Sequence, residues 1–129
     1  MLEIGIKGIE EFQVSDQNTA KNMNSGTLNV LSTPFLIAKM EEAAWKSVCP
    51  FLKKENTTVG CYIEVRHLSP SPIGSSVQCH STLIQINDRE LVFKLDAFDA
   101  GGLIAEGLHK RVIIQSDRFM DKANSKLNF

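Results

Sequence analysis

Two periodicities divide the chain. From Thr33 to about Phe51 apolar residues recur at helical spacing, with Leu31, Phe35, Ala38, Trp45, Val48 and Leu52 three, four or seven positions apart. Thr33 suits an N-cap and Pro34 the first helical position, where a missing N–H costs nothing. Cys49-Pro50 disfavours continuation of the regular helix. Everything after residue 56 reads as strand instead. Segments 57–68, 75–86, 90–98 and 103–114 are predicted as four strands. They are separated by Ser69-Pro70-Ser71-Pro72-Ile73-Gly74, by the tight-turn pair Asn87-Asp88, and by Asp99-Ala100-Gly101-Gly102. Before the helix, residues 9–15 alternate and predict a short strand. Residues 16–30 are polar and Asn-rich, a loop long enough to serve as a lid or binding loop. The charged tail after Ser116 predicts a short helix or a loose end.

One long helix followed by four hairpin-connected strands makes an α+β protein, expected to be a single domain over residues 1–129. A helix of about 17 residues is roughly 25 Å long at 1.5 Å per residue. Only a sheet is wide enough to cover it, so the sheet should curl around the helix. Such a sheet keeps free edges, and pairing one across a two-fold axis removes that liability, so a dimer is expected.

Composition narrows the classes further. With 129 residues, 43% hydrophobic and 22% charged, the chain has the make-up of a soluble globular protein. A net charge of −1 with interspersed signs argues against a nucleic-acid or anionic-membrane partner. No apolar run approaches the roughly 20 residues of a bilayer span, and Met-Leu-Glu-Ile-Gly-Ile-Lys lacks the layout of a signal peptide. Cys49, Cys61 and Cys79 show no metal-ligand spacing and read as reduced, buried small hydrophobes, which fits a cytoplasmic setting.

The candidate chemistry comes from side-chain direction. In 57–68 one face carries Cys61, Ile63, Val65 and His67, and the other carries Tyr62, Glu64, Arg66 and Leu68. The first is the apolar face, so His67 is expected to point at the helix from the strand's end. Glu41 lies on the helical row Pro34, Ala38, Glu41, Trp45, Val48, and Glu42 on the row Phe35, Ala38, Glu42, Trp45, Cys49. Both rows are apolar-flanked, so periodicity leaves the two open. A solvated outward glutamate accounts for one of them but hardly for both. Thr33 hydroxyl, helix carboxylate and His67 imidazole together are the groups that acyl transfer or hydrolysis uses. Each has a plainer reading, since a histidine at a strand end is more often a hydrogen-bonded structural residue. His80 shares a face with Gln78 and Thr82 and reads as exposed. His109 with Lys110-Arg111 suits phosphates or, more plainly, a solvated strand end; alternation puts Lys110 and Arg111 on opposite faces.

At this point the chain resembles a known family. A single long helix cradled by a curled antiparallel sheet is the hotdog fold. The stretch Ser32-Thr33-Pro34-Phe35-Leu36-Ile37-Ala38-Lys39-Met40-Glu41-Glu42-Ala43-Ala44 resembles the helix of fluoroacetyl-coenzyme A thioesterase-like proteins. The likeness continues through Gly60 and Val65-Arg66-His67-Leu68-Ser69-Pro70-Ser71-Pro72-Ile73-Gly74. It ends in Glu106-Gly107-Leu108-His109-Lys110-Arg111-Val112-Ile113, similar to the family's Gly-x-His-x-Arg strand.

The resemblance implies that Thr33, Glu41 and His67 form the active site, and it selects Glu41 over Glu42. It also implies that the Gly60 backbone lies close to the bound thioester. Fluoroacetyl-specific members carry phenylalanines in the loop before the helix, where this chain has Asn22, Asn24, Ser25 and Thr27. That departure speaks against fluoroacetyl specificity and leaves the thioesterase class intact. The implied activity is hydrolysis of an acyl-CoA thioester by a homodimer or a higher hotdog assembly. No cofactor is needed beyond the CoA of the substrate, and no metal. Thr33 would bond Glu41 or the substrate, and His67 would polarise the carbonyl or protonate the thiolate. Lys110 and Arg111, with Arg66 as another candidate, would supply positive charge for CoA, and His109 is placed with Arg66 and Arg111 at the CoA site. Two rivals keep the same pocket: a non-catalytic acyl-CoA or small-ligand binding protein, and a hydratase acting on acyl thioesters.

Overall fold

A computed structural model describes residues 1–128. Strand β1 (Lys7–Gln13) is followed by helix α1 (Thr33–Val48), a 3₁₀ turn at Cys49–Phe51, and strands β2 (Asn56–His67), β3 (Ser76–Asn87), β4 (Glu90–Asp99) and β5 (Gly102–Gln115). Helix α2 (Ser116–Asn124) and a 3₁₀ turn at Ser125–Asn128 complete it. The strands form one antiparallel sheet of order β1-β3-β4-β5-β2. The expected α+β layout is therefore present, with α1 packed against one face of the sheet. No helix among the described residues is long and apolar enough to cross a membrane.

Four local expectations need correction. The strands are not all joined as neighbouring hairpins. β3, β4 and β5 are, but β2 pairs with β5 and lies at the opposite side of the sheet from β3. The Pro-rich segment after His67 crosses the sheet instead of turning back. It is held where Leu31 N–H bonds Ser71 O at 2.9 Å and Val30 bridges to Pro72.

The helix begins one residue earlier than expected. Ser32 is the N-cap, its hydroxyl accepting from Phe35 N–H at 3.2 Å, with Pro34 in the first turn. Thr33 is thereby relieved of capping.

The buried stripe of α1 is Leu36, Met40, Ala43, Ala44 and Val48, rotated from the expected one. Trp45 is 38% exposed. Small alanines mark the face that lies closest to the sheet. Strand β1 passes so near that a side chain at Gly8 would strike the Ala43 carbonyl.

The core forms where the stripe meets inward residues of the sheet: Val77, Cys79 and Leu83 from β3, Leu91, Phe93, Leu95 and Ala97 from β4, Ile104 and Ala105 from β5. Of the cysteines only Cys79 is buried, and burial pushes its thiol up to about 12. Cys49 and Cys61 are exposed. The reading of all three as buried hydrophobes fails for these two, because Cys49 ends the helix and Cys61 sits in a break in β2. Loop 16–30 is knitted together, with Asn18 Oδ1 accepting from Ser15 N–H at 2.9 Å and its amide donating to Gln13 O at 3.0 Å.

Candidate active site

Inward direction along β2 is set by a bulge. Gly60 lies opposite Arg111 and Tyr62 opposite Lys110, so Cys61 is an extra residue without a partner. Because side chains alternate, the extra residue changes the phase of the strand. Thr58 and Gly60 before it, and Ile63, Val65 and His67 after it, all lie opposite inward residues of β5: Ile113, Arg111, His109, Gly107 and Ala105. Simple alternation placed Cys61 on this face. Its thiol instead donates to the Lys110 carbonyl at 3.4 Å from an exposed position.

His67 does point toward the helix. Its Nδ1 lies 2.8 Å from Thr33 Oγ1, which the Ser32 cap has left free. Burial lowers the His67 pKa, opposed by the Ser69 backbone. Nε2 is buried with no partner. Beside this pair lies a cavity of about 310 Å³ lined by Ala20, Ser25, Val30, Leu31, Leu68 and Pro70 as well as Thr33 and His67. The polar loop therefore forms one wall of it.

Glu41 is elsewhere. It stands eight residues from Thr33, so at 1.5 Å per residue the two are about 12 Å apart along the helix. The expected Thr33–Glu41 hydrogen bond is thereby ruled out within one chain. Glu41 is 37% exposed and its Oε2 lies 3.8 Å from Arg111 Nη1 and 3.9 Å from His109 Nε2. Glu42 turns the other way and pairs with Lys46 at 2.7 Å and Lys39 at 3.0 Å, bonds that hold its pKa below the usual carboxylate value. Side-chain direction thus selects Glu41 as the glutamate that faces the sheet.

His109 and Arg111 were read as a solvated strand end or as phosphate holders. They are 1% and 7% exposed, on the inward face. Arg111 donates from Nε to Thr58 Oγ1 at 2.8 Å and from Nη2 to Thr58 O at 2.9 Å, and its Nη1 lies 3.1 Å from His109 Nε2. A guanidinium only donates, so His109 Nε2 is the acceptor there. Its Nδ1–H then donates to the Tyr62 carbonyl at 2.8 Å, and the ring is neutral. Burial lowers the His109 pKa, with the Arg111 charge adding to the shift, while the Tyr62 backbone and Glu41 oppose it. Arg111 is lowered by burial as well, Glu41 opposing, and remains a cation.

Gly60 closes the cluster. A Cβ there would stand 3.1 Å from Glu41 Oε2, 3.2 Å from His109 Cε1 and 3.4 Å from Arg111 Nη1. Glycine keeps open the space in front of the carboxylate. Arg66 is set apart, its side chain 74% exposed on the outer face and 3.6 Å from Glu106. His80 is half-buried on that outer face, edge-on to Phe98. Thr58 was missed in the sequence because its inward direction depends on the phase of the bulge.

The comparisons with known proteins agree with this architecture. Residues 14–117 match the family described as FlK, fluoroacetyl-CoA-specific thioesterase. A curated fluoroacetyl-CoA thioesterase from Streptantibioticus cattleyicolor is 29% identical over 97% of this chain and 94% of its own length. A solved fluoroacetyl-CoA thioesterase structure superposes with a TM-score of 0.92 at 24% identity, covering 98% of both chains. A thioesterase superfamily member from Thermus thermophilus gives 0.89 at 22% identity over 99% of this chain and 97% of its own. The chain has the hotdog fold and belongs to the fluoroacetyl-CoA-specific thioesterase family, a family of thioester hydrolases.

Proposed function

We propose that this protein hydrolyses a small acyl-CoA thioester to the free acid and CoA, with Glu41 as the reacting carboxylate. The observation that carries this reading is a part-exposed carboxylate beside an anchored guanidinium, with an empty space in front of it where Gly60 lacks a side chain. A carboxylate so placed activates a water or attacks the thioester carbonyl itself; ¹⁸O incorporation in a single turnover separates the two routes. Thr33 and His67 assist, the imidazole polarising the carbonyl or protonating the departing thiolate. Burial favours neutral His67, so its buried, unpaired Nε2 is suited to exchange a proton with substrate. With Asn24 and Thr27 in the loop where fluoroacetyl-specific members carry phenylalanine, the acyl group need not be fluoroacetyl.

The two halves of the site call for a homodimer. β2 is an edge strand with Tyr62, Ile63 and Glu64 exposed. Antiparallel self-pairing about an axis between Ile63 and Glu64 sets Gly60 opposite the partner's His67. Thr33 and His67 of one subunit then serve Glu41 of the other, and CoA runs between the two. His109 and Arg111 act on the reacting end of the substrate, not on its phosphates.

Thiol release from a panel of acyl-CoA esters, acetyl to long-chain, tests the reading with wild type and Glu41→Gln in parallel. Loss of turnover by about 10²-fold or more in the variant is expected. Undiminished hydrolysis by Glu41→Gln overturns the assignment. Binding of CoA esters without any hydrolysis by wild type replaces it with a non-catalytic acyl-CoA binding protein.

A further inference from the structure

Arg111 is held by more contacts than a charge partner for Glu41 requires. Its Nε and Nη2 both bond to Thr58, through the hydroxyl at 2.8 Å and the carbonyl at 2.9 Å, and Nη1 reaches His109 at 3.1 Å. Three anchors fix the guanidinium plane. The result is a 3.8 Å separation from Glu41 Oε2, beyond hydrogen-bond reach. Arg and carboxylate groups left free close into bidentate pairs. Here the arginine is restrained from doing so, which leaves the lone pairs of Glu41 available to a water or a carbonyl carbon.

We propose that Thr58 is a positioning residue, acting through Arg111 to hold the guanidinium off the Glu41 carboxylate. The proposal rests on the thioesterase reading for its kinetic consequence, but its geometry belongs to the apo protein. His109 contributes as a neutral acceptor fixed by the Tyr62 carbonyl, so a single cation faces Glu41. From β5 the groups facing Glu41 are His109 and Arg111, and from β2 the Gly60 backbone, which carries no charge, lies against it. On its own helix, Lys39 and Lys46 are taken up by Glu42, and Lys46 also by Glu10 of β1. Thr58 itself is 6% exposed, and among the described residues its hydroxyl bonds only Arg111.

Thr58→Val keeps the branched shape and removes the hydroxyl, and Thr58→Ser restores it. In the valine variant Arg111 loses its Nε partner in a buried site, keeps only the Thr58 carbonyl and His109, and is freer to tip toward the carboxylate beside it, Glu41. We expect kcat to fall roughly tenfold and the acid limb of its pH profile to move to lower pH, with KM unchanged to within about twofold. Serine should return both to wild type. A folded valine variant whose acid limb stays in place or moves upward overturns the proposal. If valine prevents folding, Thr58→Ala is the second variant and is judged by the same limb. Titration of the Glu41 carboxyl by NMR in wild type and variant keeps the two readings separable. If wild type hydrolyses nothing, the function fails, yet a downward shift of Glu41 in the variant upholds the positioning role and an unmoved one overturns it.

Discussion

At the mouth of α1 a single hydrogen bond of 2.8 Å joins Thr33 to His67 beside an open cavity. Two turns along the same helix, Glu41 faces a cluster in which Arg111 and His109 are anchored to Thr58 and the Tyr62 carbonyl by three bonds and to each other by a fourth. One half of the site is lightly held and keeps a free ring nitrogen. The other is held rigidly and keeps a free carboxylate. The contrast suits hydrolysis: a group that trades protons with substrate needs freedom, whereas a charge that must stay poised needs a fixed environment.

Filling the rigid half should have the largest effect. Gly60→Ala puts a methyl within 3.1 Å of Glu41 Oε2 and 3.4 Å of Arg111 Nη1, and turnover should drop by about 10²-fold while the thermal transition barely moves. Full activity in this variant would mean that the thioester does not sit in front of Gly60. The loose half should respond as one unit. Thr33→Val and His67→Asn should each lower kcat by about tenfold or more, and the double variant should be little worse than His67→Asn alone, a coupling of roughly 1–2 kcal/mol. Additive losses would show that the hydroxyl and the imidazole act separately.

The smallest effect is on stability. Burial lowers the pKa of both His67 and His109 from 6.5. As pH falls the unfolded chain takes up these protons first. Stability is therefore complete above about pH 6.5 and declines below it, through the lowered folded values. Melting curves between pH 7.5 and 5 should record a falling Tm, with a shallower fall in His109→Gln. A Tm independent of pH would show that neither ring is held neutral.

Much of this was written in the chain. All four later strands lie within one residue of their predicted limits, because Asn87-Asp88 and Asp99 to Gly102 punctuate them with turn residues. That His67 points at the helix was legible from strand direction, whereas helical periodicity left Glu41 and Glu42 open and only the family likeness selected Glu41. What escaped depends on distances that a linear pattern does not encode. Ser32 and Thr33 are both capping residue types, and in the fold Ser32 caps while Thr33 bonds His67. Ala43 and Ala44 fell outside the expected stripe of α1 because close approach to the sheet rewards smallness, not hydrophobicity. Arg111 read as a surface cation because its buried partners, Thr58 and His109, lie on another strand and two residues away.

The unpaired Cys61 has a consequence for how this sequence is able to drift. Side chains on β2 alternate, so the two halves of the strand are one residue out of step across the bulge. Substitutions at positions 61 and 62 leave that step intact. Losing Cys61 itself, the residue without a partner, would join the halves in plain alternation with Thr58, Gly60, Ile63, Val65 and His67 all still facing inward. The segment is thus free to vary in composition and, at this one position, in length, because the bulge adds a residue without turning the inward set over.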